Sequence, residues 1–249
     1  MTISTAWLIQ LMFITIRLGT VLLFAPVQAI HQLPLKVRLL FVFACSALVS
    51  CSLSAHVPLD NLHILLGGIA EFANGLILAT GLFAAFAVFQ IAGQLIDNET
   101  GLNSLAIFNP AEHSQEPLSS RLLTMLAVLF FFGLDGHLWL FKGLSYSFII
   151  IPPGAIALFA GFTPIIKQFG FMFTVGFMIA SPIILALLAL DLFGGLLTRN
   201  IPQISSYFLI LPLKICLGLF LLSMMLGSMY PISNMVFERC FQTWQDIMS

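Results

Sequence analysis

The sequence predicts an all-α membrane protein built from long apolar helices in one domain over residues 1–249. Of its 249 residues, 60% are hydrophobic and only 8% are charged, whereas soluble domains are about one quarter charged. Stretches such as Leu122–Phe132 are apolar on nearly every face, which argues against the two-residue alternation of a membrane β-barrel strand. The net charge of −1 provides no basic surface for binding nucleic acid.

Two helices are predicted in the first part of the chain. The first covers Thr5–Phe24 and ends before Pro26, because a residue that precedes proline disfavours the α region. It contains Arg17, and an arginine at the bilayer centre costs at least about 2.5 kcal/mol. We therefore expect Arg17 to snorkel or to face a partner. The second helix is predicted over Val37–Ser54.

The third stretch, from Asn61 to about Ile96, is too long for a simple membrane span. A helix of about 35 residues measures about 50 Å, whereas the hydrocarbon core is about 30 Å thick. Four polar side chains also lie within it: Glu71, Asn74, Gln90 and Gln94. A kink, a helical hairpin, or a helix that leaves the bilayer and packs within a protein assembly would explain both features. The last two explanations are favoured.

The longest polar interval of the chain follows, from Asp97 to Arg121, and contains four of the ten acidic residues. Connections between helices are usually short. This interval is therefore either a mobile linker or a functional segment at a place that contains water.

The rest of the chain alternates apolar segments with breaks. Further helices are predicted over Ser119–Phe132, His137–Tyr146, Thr163–Leu190 and Ser206–Met229. The Pro-Pro pair at 152–153 is expected to stop a helix, and a polar hinge is predicted over Asp191–Gln203. The last helix is expected to end at Tyr230-Pro231, before a short amphipathic tail. Lysines and arginines fall on both sides of a simple six-span topology, so several apolar segments are not ordinary spans.

No pattern of residues supports an enzyme. A hydrolase site that used Ser104 or Ser114 with His113 would lack the GxSxG nucleophile elbow, and no GxGxxG or P-loop motif occurs. The four cysteines show no CxxC or Cys/His spacing, so they are interpreted as structural thiols. We therefore predict no catalytic residue, no cofactor and no metal site.

A secondary transporter for a small solute is the alternative function. Helix breaks near polar residues can form substrate sites at the middle of the membrane, and Ser181-Pro182 with Asp191, or Pro212 with Lys214, would be candidates. Asp191 and Lys214 could instead pair with each other across a hairpin and fix the helix register. The pairing is favoured over substrate binding, and no inverted repeat is evident.

Several polar signatures, in order along most of the chain, resemble the type III secretion export-apparatus T subunit (SctT-like) family, which includes flagellar FliR. Residues 195–203 with 211–214 resemble its GLLxRxxPQ…PLK pattern, and residues 96–101 with 108–111 resemble IDNxxG…DPA. Asn109 replaces the usual aspartate there. Residues 33–38 resemble the first loop of the family. Residues 136–140 are similar to the flagellar GHxWL, whereas Asp97-Asn98, Asp191 and Pro212–Lys214 favour the injectisome branch slightly.

The resemblance implies a subunit of a protein-export gate in the bacterial inner membrane, within the secretion basal body. Such a gate is a conical assembly of helical hairpins that passes unfolded proteins, and much of it is lifted out of the bilayer. The implied partners are the R- and S-type membrane subunits (FliP and FliQ in the flagellum), the autoproteolytic switch subunit, the secreted proteins and membrane lipid.

The resemblance also implies roles for two groups of residues. The family's loop after the third helix plugs the pore, which corresponds here to Ile107–Ser119. Its plug residues would be Ile107, Phe108, Asn109, Pro110, Glu112, His113, Pro117 and Leu118. A second group is expected to make subunit contacts or to hold the structure together: Asp97, Asn98, Gly101, Asp191, Arg199, Pro202, Gln203 and Lys214.

Overall fold

The computed structural model describes residues 5–24, 34–52, 61–102, 118–156, 158, 162–200 and 206–248. Within these residues, all regular secondary structure is α-helical, as the sequence predicts. The helices in chain order are α1 (Thr5–Phe24), α2 (Leu35–Ser52), α3 (Asn61–Thr100), α4 (Leu118–Gly133), α5 (Gly136–Ile150), α6 (Phe162–Asn200) and α7 (Ser206–Met248).

Five of these helices are long and apolar enough to cross a membrane, namely α1, α2, α3, α6 and α7. The consecutive helices α4 and α5 together would provide a sixth span. Many large apolar side chains on the described helices are exposed, including Leu40, Phe173 and Leu192. This combination confirms the predicted class of α-helical membrane protein.

The third helix is continuous over 40 residues, so the predicted helical hairpin is wrong. Its glycines allow close packing rather than a chain reversal. A Cβ atom on Gly75 would lie 2.7 Å from Cβ of Thr20 and 3.0 Å from the carbonyl oxygen of Arg17. At 1.5 Å per residue, α3 is about 60 Å long, twice the thickness of the hydrocarbon core. The departure of part of α3 from the bilayer therefore remains a prediction.

The predicted end of the last helix at Tyr230-Pro231 is also wrong, because α7 continues through Pro231 to Met248. Downstream of this proline, buried side chains recur at helical spacing: Val236, Phe237, Cys240, Phe241 and Trp244. Burial of this stripe stabilises a helix that the proline alone would interrupt. The Sγ atom of Cys240 lies 3.4 Å from the carbonyl oxygen of Gly81, and all four cysteines are free.

The predicted hinge that begins at Asp191 is helical as far as Asn200. The reason is packing against the next helix. A Cβ atom on Gly194 would lie 2.0 Å from Cδ1 of Ile210, so this glycine allows α7 to lie directly on α6. Pro202 and Gln203 lie outside the described residues.

The described residues group into two compact units that alternate along the chain. The first contains Met1–Ala85, Phe131–Phe169 and Val236–Ser249, and the second contains Phe86–Phe130 and Gly170–Met235. The single domain over residues 1–249 stays a prediction.

The first unit has a charged centre, formed by Arg17 and Glu71, whose side chains are 0% exposed. Nε of Arg17 donates to Oε2 of Glu71 over 2.5 Å, and one Nη2–H donates to Oε1 over 3.0 Å. The other three N–H groups donate to the carbonyl oxygen of Ser147, to its Oγ and to the carbonyl oxygen of Ile151. A guanidinium has five N–H donors, so each donor has an acceptor here. Arg17 therefore faces a partner, which is one of the two outcomes that its position predicts.

Candidate functional site

The second unit contains most of the described polar residues that the sequence analysis selects, and Asp97 is its most buried member. The Asp97 side chain is on α3, yet Oδ1 accepts the N–H of Ser119 over 3.1 Å and Oδ2 accepts the N–H of Ser120 over 3.0 Å. The first N–H groups of a helix have no acceptor within it. Asp97 therefore caps α4 from the preceding helix, and its negative charge also lies at the positive end of the α4 dipole.

The backbone of α4 lies directly against α3 at this point. A Cβ atom on Gly93 would lie 2.2 Å from Cα of Ser120, a distance that no side chain allows. Ser120 Oγ also donates to the carbonyl oxygen of Gln90 over 3.3 Å. Gln90, Gly93 and Asp97 lie one helical turn apart on the same face of α3. Together they hold the first turn of α4 against α3.

The end of α3 is shaped by Gly101 and by a lysine from α7. Gly101 follows the last helical residue with a φ of 79°, the left-handed conformation in which helices commonly end at glycine. Nζ of Lys214 donates to the carbonyl oxygen of Glu99 over 3.1 Å. A cation at the end of a helix that carries unpaired carbonyl groups is stabilising.

Lys214 also forms an ion pair with Asp191 of α6, with Nζ 2.6 Å from Oδ2. This confirms the predicted pairing of these two residues across the α6–α7 hairpin. The lysine side chain is 15% exposed and the aspartate side chain 42%, so water screens the pair on one side. The ammonium is occupied by two acceptors, which leaves it less available to a solute.

A pocket of about 420 Å³ lies beside this ion pair, between the end of α3 and the α6–α7 hairpin. Four of the predicted contact residues line it: Asn98, Gly101, Asp191 and Lys214. Its wall also includes Gly194, Gly195 and Thr198. Within the described part of the chain, no group of three or more His, Cys, Asp or Glu residues could hold a metal ion. The pocket wall carries amide and hydroxyl groups besides the paired carboxylate and ammonium of Asp191 and Lys214.

The remaining predicted residues lie elsewhere. Arg199 is an exposed residue in the last turn of α6 and does not line this pocket. Leu118, which we predict in the plug loop, is instead the first residue of α4 and is 57% exposed. Ser119 at the end of the predicted loop is buried, and its N–H donates to Asp97. The other plug residues, Ile107 to Pro117, lie outside the described residues.

Two residues of the site, Gly93 and Ser120, are not singled out by the sequence analysis, which names Ser119 only as the end of the plug range and the start of a predicted helix. Serine is common at the beginning of a helix, so the Ser-Ser pair at the start of an apolar run is a signal for a helix N-terminus. A glycine one turn before Asp97 is a signal for close approach of another backbone.

The Asp191–Lys214 pair can be tested by a double-mutant cycle. We expect Asp191→Leu and Lys214→Leu to lower the thermal unfolding midpoint of the detergent-solubilised chain, and the double variant to lose less than the sum of the two. The coupling energy should be below about 1 kcal/mol, since the pair is partly exposed. Arg199→Leu removes an exposed charge from the same hairpin and serves as the control. Strictly additive losses would show that the pair contributes no coupling.

Residues 8–240 match a family described as bacterial export proteins, family 1. The chain is similar to the flagellar biosynthetic protein FliR of Escherichia coli (strain K12), with 30% identity over 246 residues that cover 98% of this chain and 94% of that protein. It is also similar to FliR of Bacillus subtilis (strain 168), with 26% identity over 245 residues that cover 96% and 94%.

Proposed function

The chain belongs to the bacterial export proteins, family 1, and from this premise we propose that it is a subunit of a type III protein-export gate. In this proposal the gate lies in the bacterial inner membrane, within the secretion basal body. It assembles with R- and S-type membrane subunits (FliP and FliQ in a flagellum) and with the autoproteolytic switch subunit. Unfolded proteins pass through it. The relatives named above are flagellar biosynthetic proteins matched over nearly their whole length, and the chain has five apolar helices of spanning length.

The observation that carries the mechanism is the attachment of α4 to α3 by Asp97. Residues 101–117 connect these two helices, and most of the plug loop that the family resemblance implies, Ile107–Ser119, falls within this connection. A closed gate must block ions, and the block must later move aside for a polypeptide. Because Asp97 and Gly93 hold the start of α4 on α3, the connecting segment can be displaced without separating the two helices. Its apolar residues Ile107 and Phe108 would dewet the constriction when the gate is closed.

The pocket at the end of α3 is proposed as a contact for a neighbouring subunit. Asn98 and Asp191 on its wall are exposed, so they are accessible to a second chain. The ion pair of Lys214 with Asp191 and its hydrogen bond to the end of α3 fix the shape of the pocket. Arg199 and Gln203 are proposed to bind neighbouring subunits as well, and no catalytic step is proposed for any of these groups.

Two branches of the family and one alternative function are distinguished by experiment. Asp97-Asn98, Asp191 and Pro212–Lys214 resemble the injectisome branch slightly more, whereas the relatives named above are flagellar. We expect the chain to restore secretion only in the branch to which it belongs, when it is expressed in bacteria that lack the T-type subunit of either system. The match over residues 8–240 gives no support to a solute transporter. Solute uptake by the purified chain in liposomes would support that alternative.

Replacing residues 107–116 by a Gly-Ser linker of equal length should raise the ion permeability of the cell membrane and leave recovery of the assembled gate unchanged. The replacement retains Leu118 and Ser119, because these residues belong to α4. Permeability is measured from the influx of a small ion in cells, and assembly from co-purification of the other membrane subunits. The control is the same replacement of residues 53–59, between α2 and α3. Normal permeability with a fully assembled gate would contradict the plug role.

A further inference from the structure

A second pocket, of about 410 Å³, lies in the first unit between α5 and α7. Its α5 side consists of Trp139, Lys142, Gly143 and Tyr146. Their spacing of three, four and seven residues places them on one face of the helix. The α7 side includes Phe241 and Trp244. The pocket is therefore a groove between two helices, with aromatic walls.

The floor of this groove is a fixed aromatic surface. Trp244 is 1% exposed, and its Nε1–H donates to the carbonyl oxygen of Leu78 over 3.1 Å. A Cβ atom on Gly143 would lie 2.8 Å from Cε3 of Trp244, so the absence of a side chain there allows the indole to reach α5. Phe241 meets Trp244 edge to face at a centroid distance of 5.7 Å. The aromatic floor of the groove is thus held in place by these contacts.

The rim of the groove is amphipathic and positively charged. Trp139 is 52% exposed and Tyr146 is 47% exposed, and Nζ of Lys142 lies 5.7 Å from the centre of the Trp139 ring. Among the described residues, none forms an ion pair with Lys142, and no lining residue is acidic. Trp and Tyr are enriched where a membrane meets water, and lysine extends its ammonium toward the headgroups there.

We propose that this groove binds one anionic phospholipid of the surrounding bilayer. An acyl chain lies on the Phe241–Trp244 floor, and the phosphate of the headgroup accepts hydrogen bonds from the ammonium of Lys142. A basic pocket between membrane helices is suited to an anionic headgroup, and a lysine that forms no ion pair among the described residues favours an anionic occupant over an uncharged one. The proposal requires a chain in a membrane and does not depend on the plug or on the identity of the secretion system.

The chain has three tryptophans, and two of them line the groove. In the Trp7→Phe variant, all tryptophan fluorescence comes from Trp139 and Trp244. We expect phosphatidylglycerol with brominated acyl chains to quench this fluorescence at a several-fold lower mole fraction than brominated phosphatidylcholine, in the full chain reconstituted into vesicles. Lys142→Gln should remove the difference between the two lipids, and Lys142→Arg should preserve it. Lys167→Gln, which removes an exposed cation of the same unit, should leave it unchanged.

Two results would overturn the proposal. Equal quenching by both lipids in the Trp7→Phe chain would show ordinary contact with the bilayer and no site for an anionic headgroup. Weak quenching by both lipids, together with a photocrosslink from position 146 to another protein in cell membranes, would assign the groove to a partner subunit. The comparison of the two lipids needs no change at Lys142, so a poorly folding Lys142 variant does not affect it.

Discussion

Replacing either Arg17 or Glu71 with leucine is expected to prevent stable folding of the chain, whereas replacing both is expected to be far less damaging. The two side chains are 0% exposed, and removal of one partner leaves a buried charge without compensation, at a cost of about 3–5 kcal/mol. The loss of Arg17 also leaves the carbonyl oxygens of Ser147 and Ile151 without these donors. The loss of Glu71 removes the acceptor of the Gly154 N–H, at 2.9 Å. The double variant removes both charges together.

The expected order of stability among these variants is measured by the amount of chain in the membrane and by its thermal unfolding midpoint in detergent. Arg121→Leu removes an exposed arginine from α4 and provides the matched control. Glu71→Gln retains the shape of the side chain and one carbonyl acceptor. Its loss of thermal stability should therefore lie between that of the Arg121→Leu control and that of Glu71→Leu. Two results would contradict a mutually compensating pair. One is single variants that are as stable as the control, and the other is a double variant whose loss of stability equals the sum of the two single losses.

The need for a partner at Arg17 could be predicted from its position, but the identity of that partner could not. An arginine in an apolar helix requires either water or an acceptor, and the sequence shows this at once. Glu71 is 54 positions away in the chain, and several polar residues of α3 were equally available. The choice is made by close packing of α1 on α3 at Gly75, which no local pattern reveals. For Asp191 and Lys214 the prediction was easier, because a hairpin brings opposite charges on its two helices together.

Proline positions predicted some helix ends correctly and others wrongly. Pro26 follows a helix that ends at Phe24, whereas Pro231 lies inside α7. The difference is the burial of residues that follow. Beyond Pro231, the stripe from Val236 to Trp244 packs into the first unit, and this tertiary contact outweighs the lost hydrogen bond. A local rule describes the backbone preference of a proline but not the packing that opposes it.

Asp97→Ala is expected to release the first turn of α4 from α3 while the middle of α3 remains intact. Loss of a helix cap costs about 1–2 kcal/mol, and two N–H groups in a buried setting lose their acceptor. In the purified chain, the amides of Ser119 and Ser120 should exchange hydrogen faster, and those near Ala84 should not change. Asp97→Asn keeps one carbonyl acceptor and should give a smaller increase. Glu99→Gln removes a neighbouring carboxylate whose side chain does not cap α4, so it should leave the exchange unchanged.

Gly93→Ala tests the same contact by a different physical route, because its Cβ would lie 2.2 Å from Cα of Ser120. The methyl group must push α4 away from α3, so the amides of Ser119 and Ser120 should again exchange faster although Asp97 is present. Gly227→Ala, where a Cβ atom meets nothing within 4 Å, is the control for an added methyl group. If the contact also anchors the proposed plug, Asp97→Ala and Gly93→Ala should both raise ion permeability, as the loop replacement does, but with weaker recovery of the assembled gate. Faster exchange with normal permeability in both variants would show that the contact stabilises α4 and does not seal the pore.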